Sequence, residues 1–221
     1  MTSTLQQVTA DPASWNRTSA SSAGTTAQNS ASLALLSTDQ LTPEATALVL
    51  QTAKDIRTTL KSDDDEAKAA LAKCLHHRIL SVISYTAAPR SDAAHLRAFT
   101  ALGGSTLYVD ASSKGGKKGG MTSAKKGETL ADTLSCMECY GDLAVLRHWD
   151  DKAVEEAVRR SRKGLIVGNG NGEGDITDVL GDELFGEVPG DAVAVSDPEA
   201  GSEQQTCREV VRMAIYRLML A

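Results

Sequence analysis

One stretch near the middle of the chain, Ser113 to Gly127, restricts the fold more than any other. It reads SKGGKKGGMTSAKKG, with five lysines (Lys114, Lys117, Lys118, Lys125 and Lys126), five glycines and no acid. Glycine is costly in helix and strand interiors, and a lysine-rich run adds almost nothing to a core. Packed structure must therefore form on either side of this loop, taken as 112–127.

The two sides differ in charge. Residues 1–110 carry −1, 111–127 carry +5 and 128–221 carry −10, within a total of −6. Gly164 to Thr206 holds ten acids and no lysine or arginine. A basic island and an acidic, glycine-rich run (164–206) on one chain attract each other, within or between subunits. Glycine-spaced lysines also suit a phosphate backbone, so RNA or another polyanion is the alternative partner of the loop.

With 221 residues, one sizeable core is affordable. Apolar residues make up 41% but aromatics only 4%, and alanine supplies much of the apolar share. That favours thin helix-on-helix packing. The spacing of apolar residues agrees. Thr42-Pro43-Glu44 is a helix start, and Leu41, Ala45, Leu48, Thr52, Ile56 and Leu60 fall at helical intervals. Asp63 to Glu66 opens a second helix, read through Ala67, Leu71, Cys74, Leu75, Ile79, Val82 and Ile83 to the stop at Pro89. Ser91 caps a third, closed by Gly103-Gly104. Helices are further predicted over 128–146, from Asp150-Asp151 to Arg160, around Asp178–Phe185, and at the C-terminus through Cys207, Val210, Val211, Ala214, Ile215 and Leu218. Short strands are expected near 105–110, 165–167 and 192–195. The predicted fold class is mainly α: a polar flexible arm over 1–32, then a single helical domain over 33–221 with a few short strands.

No apolar run approaches the roughly 20 residues of a membrane span, and the N-terminus lacks a secretory pattern. A cytoplasmic location follows, with a nuclear one suggested by Arg159-Arg160-Ser161-Arg162-Lys163, although bases in a last helical turn are also what the helix dipole favours. The cysteines are expected as buried thiols.

Candidate metal ligands are few. Cys136-x-x-Cys139 offers two sulfurs without a second pair. Asn169, Asn171, Glu173 and Asp175 alternate with glycines as in the first half of a calcium loop, but Leu180 stands where a bidentate glutamate belongs. No nucleophile elbow, zinc-protease motif or P-loop is present, so no catalytic residue and no cofactor is assigned. In composition the chain is similar to helical coat proteins and nucleoproteins that package RNA. The resulting expectation is a non-enzymatic assembly protein that self-associates through Trp15 and the C-terminal Val211, Ile215 and Leu218, and touches a polyanion with the loop lysines. A helical adaptor with no nucleic-acid role, or a zinc- or calcium-binding protein, are the alternatives.

Overall fold

The computed structural model describes residues 34–35, 41–86, 89–111, 129–169, 176–186 and 198–220. Among them the architecture is α/β rather than mainly α. Five parallel strands form one sheet in the order β1-β5-β4-β2-β3. They are β1 (Ala34–Leu35), β2 (Ile79–Ser84), β3 (Ser105–Asp110), β4 (Leu143–His148) and β5 (Gly164–Asn169). The helices are α1 (Pro43–Lys61), α2 (Asp65–Leu71), α3 (Pro89–Ala101), α4 (Leu130–Tyr140), α5 (Asp151–Arg160), α6 (Ile176–Gly186) and α7 (Pro198–Met219).

The strands expected at 105–110 and 165–167 are present, and the one expected at 192–195 lies outside the described residues. β2 and β4 overturn the helical reading. The second predicted helix stops at Leu71, and the chain turns through His77, whose φ of 69° is left-handed, before extending into β2. The fourth stops at Tyr140, capped by Gly141, and β4 follows.

Alternation within the strands builds two apolar layers. Leu80, Val82, Leu143, Val145 and Ile166 face the core made with α1, α3, α6 and α7. Ile83, Ala144, Leu146, Leu165 and Val167 face Leu130, Leu134 and Met137 of α4 and Val154 and Ala157 of α5. A sheet covered on both sides has apolar residues at consecutive positions. Residues 80–84 of β2 are all buried.

The caps explain where helices start. Thr42 Oγ1 accepts from the Ala45 amide at 3.2 Å. Thr129 and Asp132 form a reciprocal capping box on α4, and Asp150 accepts from the amides of Lys152 and Ala153. Val211 and Ile215, expected at an oligomer contact, are fully buried in the chain's own core, with Leu218 packed against it.

α6 and α7 are joined by charge. Asp182 accepts two bonds from Arg208, at 2.6 and 2.7 Å, and one from Gln204 at 3.1 Å. Between Asp178 and Asp182, Gly181 lets α7 close in; a Cβ there would lie 2.5 Å from Arg208 Cα. Burial pushes the Asp182 carboxyl up, but the hydrogen bonds and charge of Arg208, helped by Gln204 and Arg212, bring it below the ordinary 3.8. With the folded value depressed, the unfolded chain takes the proton first as pH falls. The stability from this pair is present above the unfolded value and is lost as pH drops through the folded one. We expect Asp182→Asn to flatten the fall in stability below about pH 4, measured by urea unfolding at several pH values; an unchanged acid limb would refute this.

Candidate active site

The sheet reverses direction between β2 and β4. From β2 the chain crosses through α3 to β3 on one side; from β4 it crosses through α5 to β5 on the other. In open parallel sheets the crevice outside the carboxyl ends of the strands at such a switch point is where ligands bind.

Strand register brings four side-chain positions into one row at that edge. Asp110 of β3 is opposite Ser84 of β2, Ser84 opposite Arg147 of β4, and Arg147 opposite Gly168 of β5. Main-chain bonds from Tyr85 N to Arg147 O (2.8 Å) and from Ala111 N to Ser84 O (2.7 Å) carry the pairing past the strand ends.

Arg147 is the unusual member, with only 5% of its side chain exposed. Its guanidinium donates to Ser91 Oγ in the first turn of α3, and its Nε lies 3.8 Å from Asp92 Oδ1. The other Asp92 oxygen accepts from the Tyr108 hydroxyl at 3.2 Å. Partial desolvation of its hydroxyl and the adjacent Asp92 carboxylate raise the Tyr108 pKa, so its proton stays available for that bond. Gly168 makes room for the arginine: a Cβ there would sit 3.2 Å from Arg147 Cγ and 3.3 Å from Cζ. Arg90, exposed beside Ser91, adds a second cation at the positive end of α3, a place that favours an anion.

His148 follows Arg147 and stacks on Trp149 at 4.5 Å, with Tyr85 edge-on at 4.8 Å. Its Nδ1 accepts from the Asp150 amide at 2.9 Å, which leaves the proton of the neutral ring on Nε2. Burial holds the ring below its ordinary pKa, against the opposing pull of Asp150. His148 is therefore neutral near pH 7.

The structure bears on few of the residues singled out from sequence. Lys114, Lys117, Lys118, Lys125, Lys126, Trp15, Asn171, Glu173 and Asp175 are outside the described residues, and only the backbone of Asn169, at the end of β5, is described. Cys136 and Cys139 on α4 are exposed, as is Cys74; only Cys207 is buried, which corrects the expectation of buried thiols. No group of three metal-ligating side chains occurs among the described residues. Ser91, expected as the cap of the third helix, lies instead inside the first turn of α3, which begins at Pro89, and Asp92, Tyr108, Arg147 and His148 were assigned to no site. The one available signal was an arginine and a histidine ending the apolar run Leu143–Leu146.

A doubly wound parallel sheet with a buried arginine facing a helix N-terminus at its switch point defines a class of α/β domains suited to anionic ligands. Within that class, residues 34–182 match the family model "Aspartate/ornithine carbamoyltransferase, carbamoyl-P binding domain". The chain belongs to the aspartate/ornithine carbamoyltransferase family. It is 32% identical over 127 residues to the aspartate carbamoyltransferase catalytic subunit of Thermoplasma volcanium, covering 57% of this chain and 38% of that protein. It is 29% identical over 140 residues to the multifunctional protein CAD of Squalus acanthias, covering 63% of this chain and 6% of that one. Among solved structures, the aspartate transcarbamoylase of Trypanosoma cruzi in complex with carbamoyl aspartate and phosphate is 27% identical, with a TM-score of 0.55, over 69% of this chain and 43% of that one. The same enzyme in complex with carbamoyl phosphate and aspartate is 26% identical, with a TM-score of 0.54. The catalytic subunit of M. jannaschii, at 24% identity and a TM-score of 0.55, shares the fold. The chain thus spans less than half the length of these relatives.

These findings overturn the reading of a non-enzymatic, coat- or nucleoprotein-like assembly protein: the family is one of enzymes, and nothing in it points to RNA. No helix among the described residues is long and apolar enough to cross a membrane.

Proposed function

We propose that the chain is the carbamoyl-phosphate-binding part of a carbamoyltransferase whose acceptor is aspartate. The observation that carries this reading is Arg147, buried at the carboxyl end of β4 and bonded to Ser91 at the start of α3, within the stretch that matches the carbamoyl-P binding domain. The relatives crystallised with aspartate and carbamoyl phosphate, and with carbamoyl aspartate and phosphate, support aspartate over ornithine as the acceptor.

In this reading the amine of aspartate attacks the carbonyl carbon of carbamoyl phosphate. The bond from that carbon to the phosphate oxygen breaks, phosphate leaves, and the amine loses a proton. Negative charge grows first on the carbonyl oxygen and then on the departing phosphate. Arg147, Ser91 and the amides of the first turn of α3 supply fixed donors at the edge where that charge develops. The five loop lysines remain candidate contacts for a phosphate-bearing ligand on charge grounds alone.

The name "catalytic subunit" borne by relatives supports self-association, and the free cysteines suit a cytoplasmic location.

Calorimetric titration with carbamoyl phosphate tests the site. The wild-type chain is expected to bind, and Arg147→Gln to bind at least tenfold more weakly, about 1.4 kcal/mol. Light scattering on the same samples should give a mass above 23.2 kDa. Equal binding by the two chains would remove Arg147 from the site, and a mass of one chain would remove the oligomer.

A further inference from the structure

The arginine that would receive phosphate already faces an anion. Asp92 has only 4% of its side chain exposed, Oδ1 lies 3.8 Å from Arg147 Nε, and Oδ2 is held by the Tyr108 hydroxyl at 3.2 Å. The carboxylate and the guanidinium are enclosed together between α3, β3 and β4, with Gly168 closing on the arginine from β5. Further carboxylates border the same edge: Asp110 at the end of β3, exposed, and Asp150 and Asp151 at the start of α5. Arg90 is the other cation in the first turn of α3.

We propose that Asp92 is a specificity-determining residue: an internal anion seated on Arg147 that sets a low affinity for dianionic phosphate groups. The inference rests on the phosphate-binding reading of this edge. A dianion brought to Arg147 is brought equally to Asp92, in a place where neither charge is well solvated. Like charges at such a contact repel strongly. Phosphate therefore engages Arg147 fully only when the Asp92 carboxylate has moved off the guanidinium. Asparagine at 92 keeps the shape and the acceptor for Tyr108 while removing the competing charge.

The test is calorimetric titration of inorganic phosphate into the full chain as wild type, Asp92→Asn, Arg147→Gln and the double variant. Asp92→Asn should bind phosphate about tenfold more tightly than wild type or better, and the double variant should lack that gain. If Asp92→Asn shows no gain while Arg147→Gln weakens binding, the role of Asp92 is overturned and the phosphate site stands. If Arg147→Gln binds like wild type, the phosphate site itself falls. Removing the carboxylate also lessens the compensation of a buried guanidinium, so the fold could weaken. Thermal melts of Asp92→Asn and Asp92→Ser with and without phosphate cover that case. Phosphate should raise the melting temperature of the neutral variants more than that of wild type, and an equal rise overturns the proposal.

Discussion

Replacing Asp178 by alanine should cost the fold about 3–5 kcal/mol, the range for breaking a buried ion pair from one side. Arg212 sits in the middle of α7 and is 1% exposed. Its guanidinium donates to Asp178 Oδ1, and its Nε and Nη1 have no hydrogen-bond partner among the described residues. Asp178 therefore carries most of the compensation for a full charge inside the apolar layer formed by α1, α3, α6 and α7. One turn on, Asp182 and Arg208 repeat the contact nearer the surface, where an ion pair contributes far less. The loss should appear as a lower urea midpoint with an unchanged slope. Arg212→Met offers the converse, since an apolar side chain of similar length removes the charge along with its need for a partner, and should cost far less than Asp178→Ala. The double variant should recover most of what Asp178→Ala loses, because the two sites share one interaction. An Asp178→Ala protein within about 0.5 kcal/mol of wild type would show that this pair does not hold α6 to α7.

The helices were legible because their signals are local. Thr42-Pro43-Glu44 and Asp150-Asp151 specify starts through side-chain bonds a few residues long, and both act as caps in the structure. β3 was legible for a different reason. It is an edge strand, with Thr106, Leu107 and Tyr108 exposed, and follows the Gly103-Gly104 turn. β2 and β4 were not legible. Ile79–Ile83 and Leu143–Leu146 lie inside a parallel sheet covered on both faces, so apolar residues follow one another without the alternation that marks a strand. With Leu71 and Leu75 before β2, and Leu134 and Met137 before β4, the same residues also fit helical spacing. The break before β2 is a left-handed histidine rather than a glycine, which no composition rule flags. Missing these two strands hid the switch point, and with it the site. Asp110, Ser84, Arg147 and Gly168 come together only through the register of four strands, and no linear spacing encodes that row. The charge of the lysine loop, by contrast, is visible in one dimension.

Phe99→Ala should cost about 3–5 kcal/mol as well, through a cavity rather than a charge. Phe99 is fully buried on α3 and meets the Tyr216 ring edge-to-face at 5.3 Å. It also lies flat against the turn into β3: a Cβ on Gly104 would fall 2.2 Å from Phe99 Cε1, and the Gly104 amide donates to the Phe99 carbonyl at 3.2 Å. Tyr216 in turn is hydrogen-bonded to buried His95, which lies on α3 one turn nearer the site than Phe99. The phenyl ring thus spaces three elements at once: α3, the start of β3 and α7. Without it Tyr216 loses its edge contact and Gly104 its cover, and neither backbone can close the gap while the sheet holds β3 in register. Phe99→Leu fills most of the volume and should cost no more than about 1.5 kcal/mol. The functional end of α3 is a separate matter. Ser91 and Asp92 precede Phe99 by about two helical turns, roughly 10–12 Å along the axis, and are held by Arg147 and Tyr108 rather than by the ring. Phosphate affinity of the folded Phe99→Ala protein should therefore stay within about threefold of wild type, less than 1 kcal/mol, while its urea midpoint falls. A loss of affinity matching the loss of stability would mean that the site end of α3 is positioned from the core through Phe99 rather than by the residues that face Arg147.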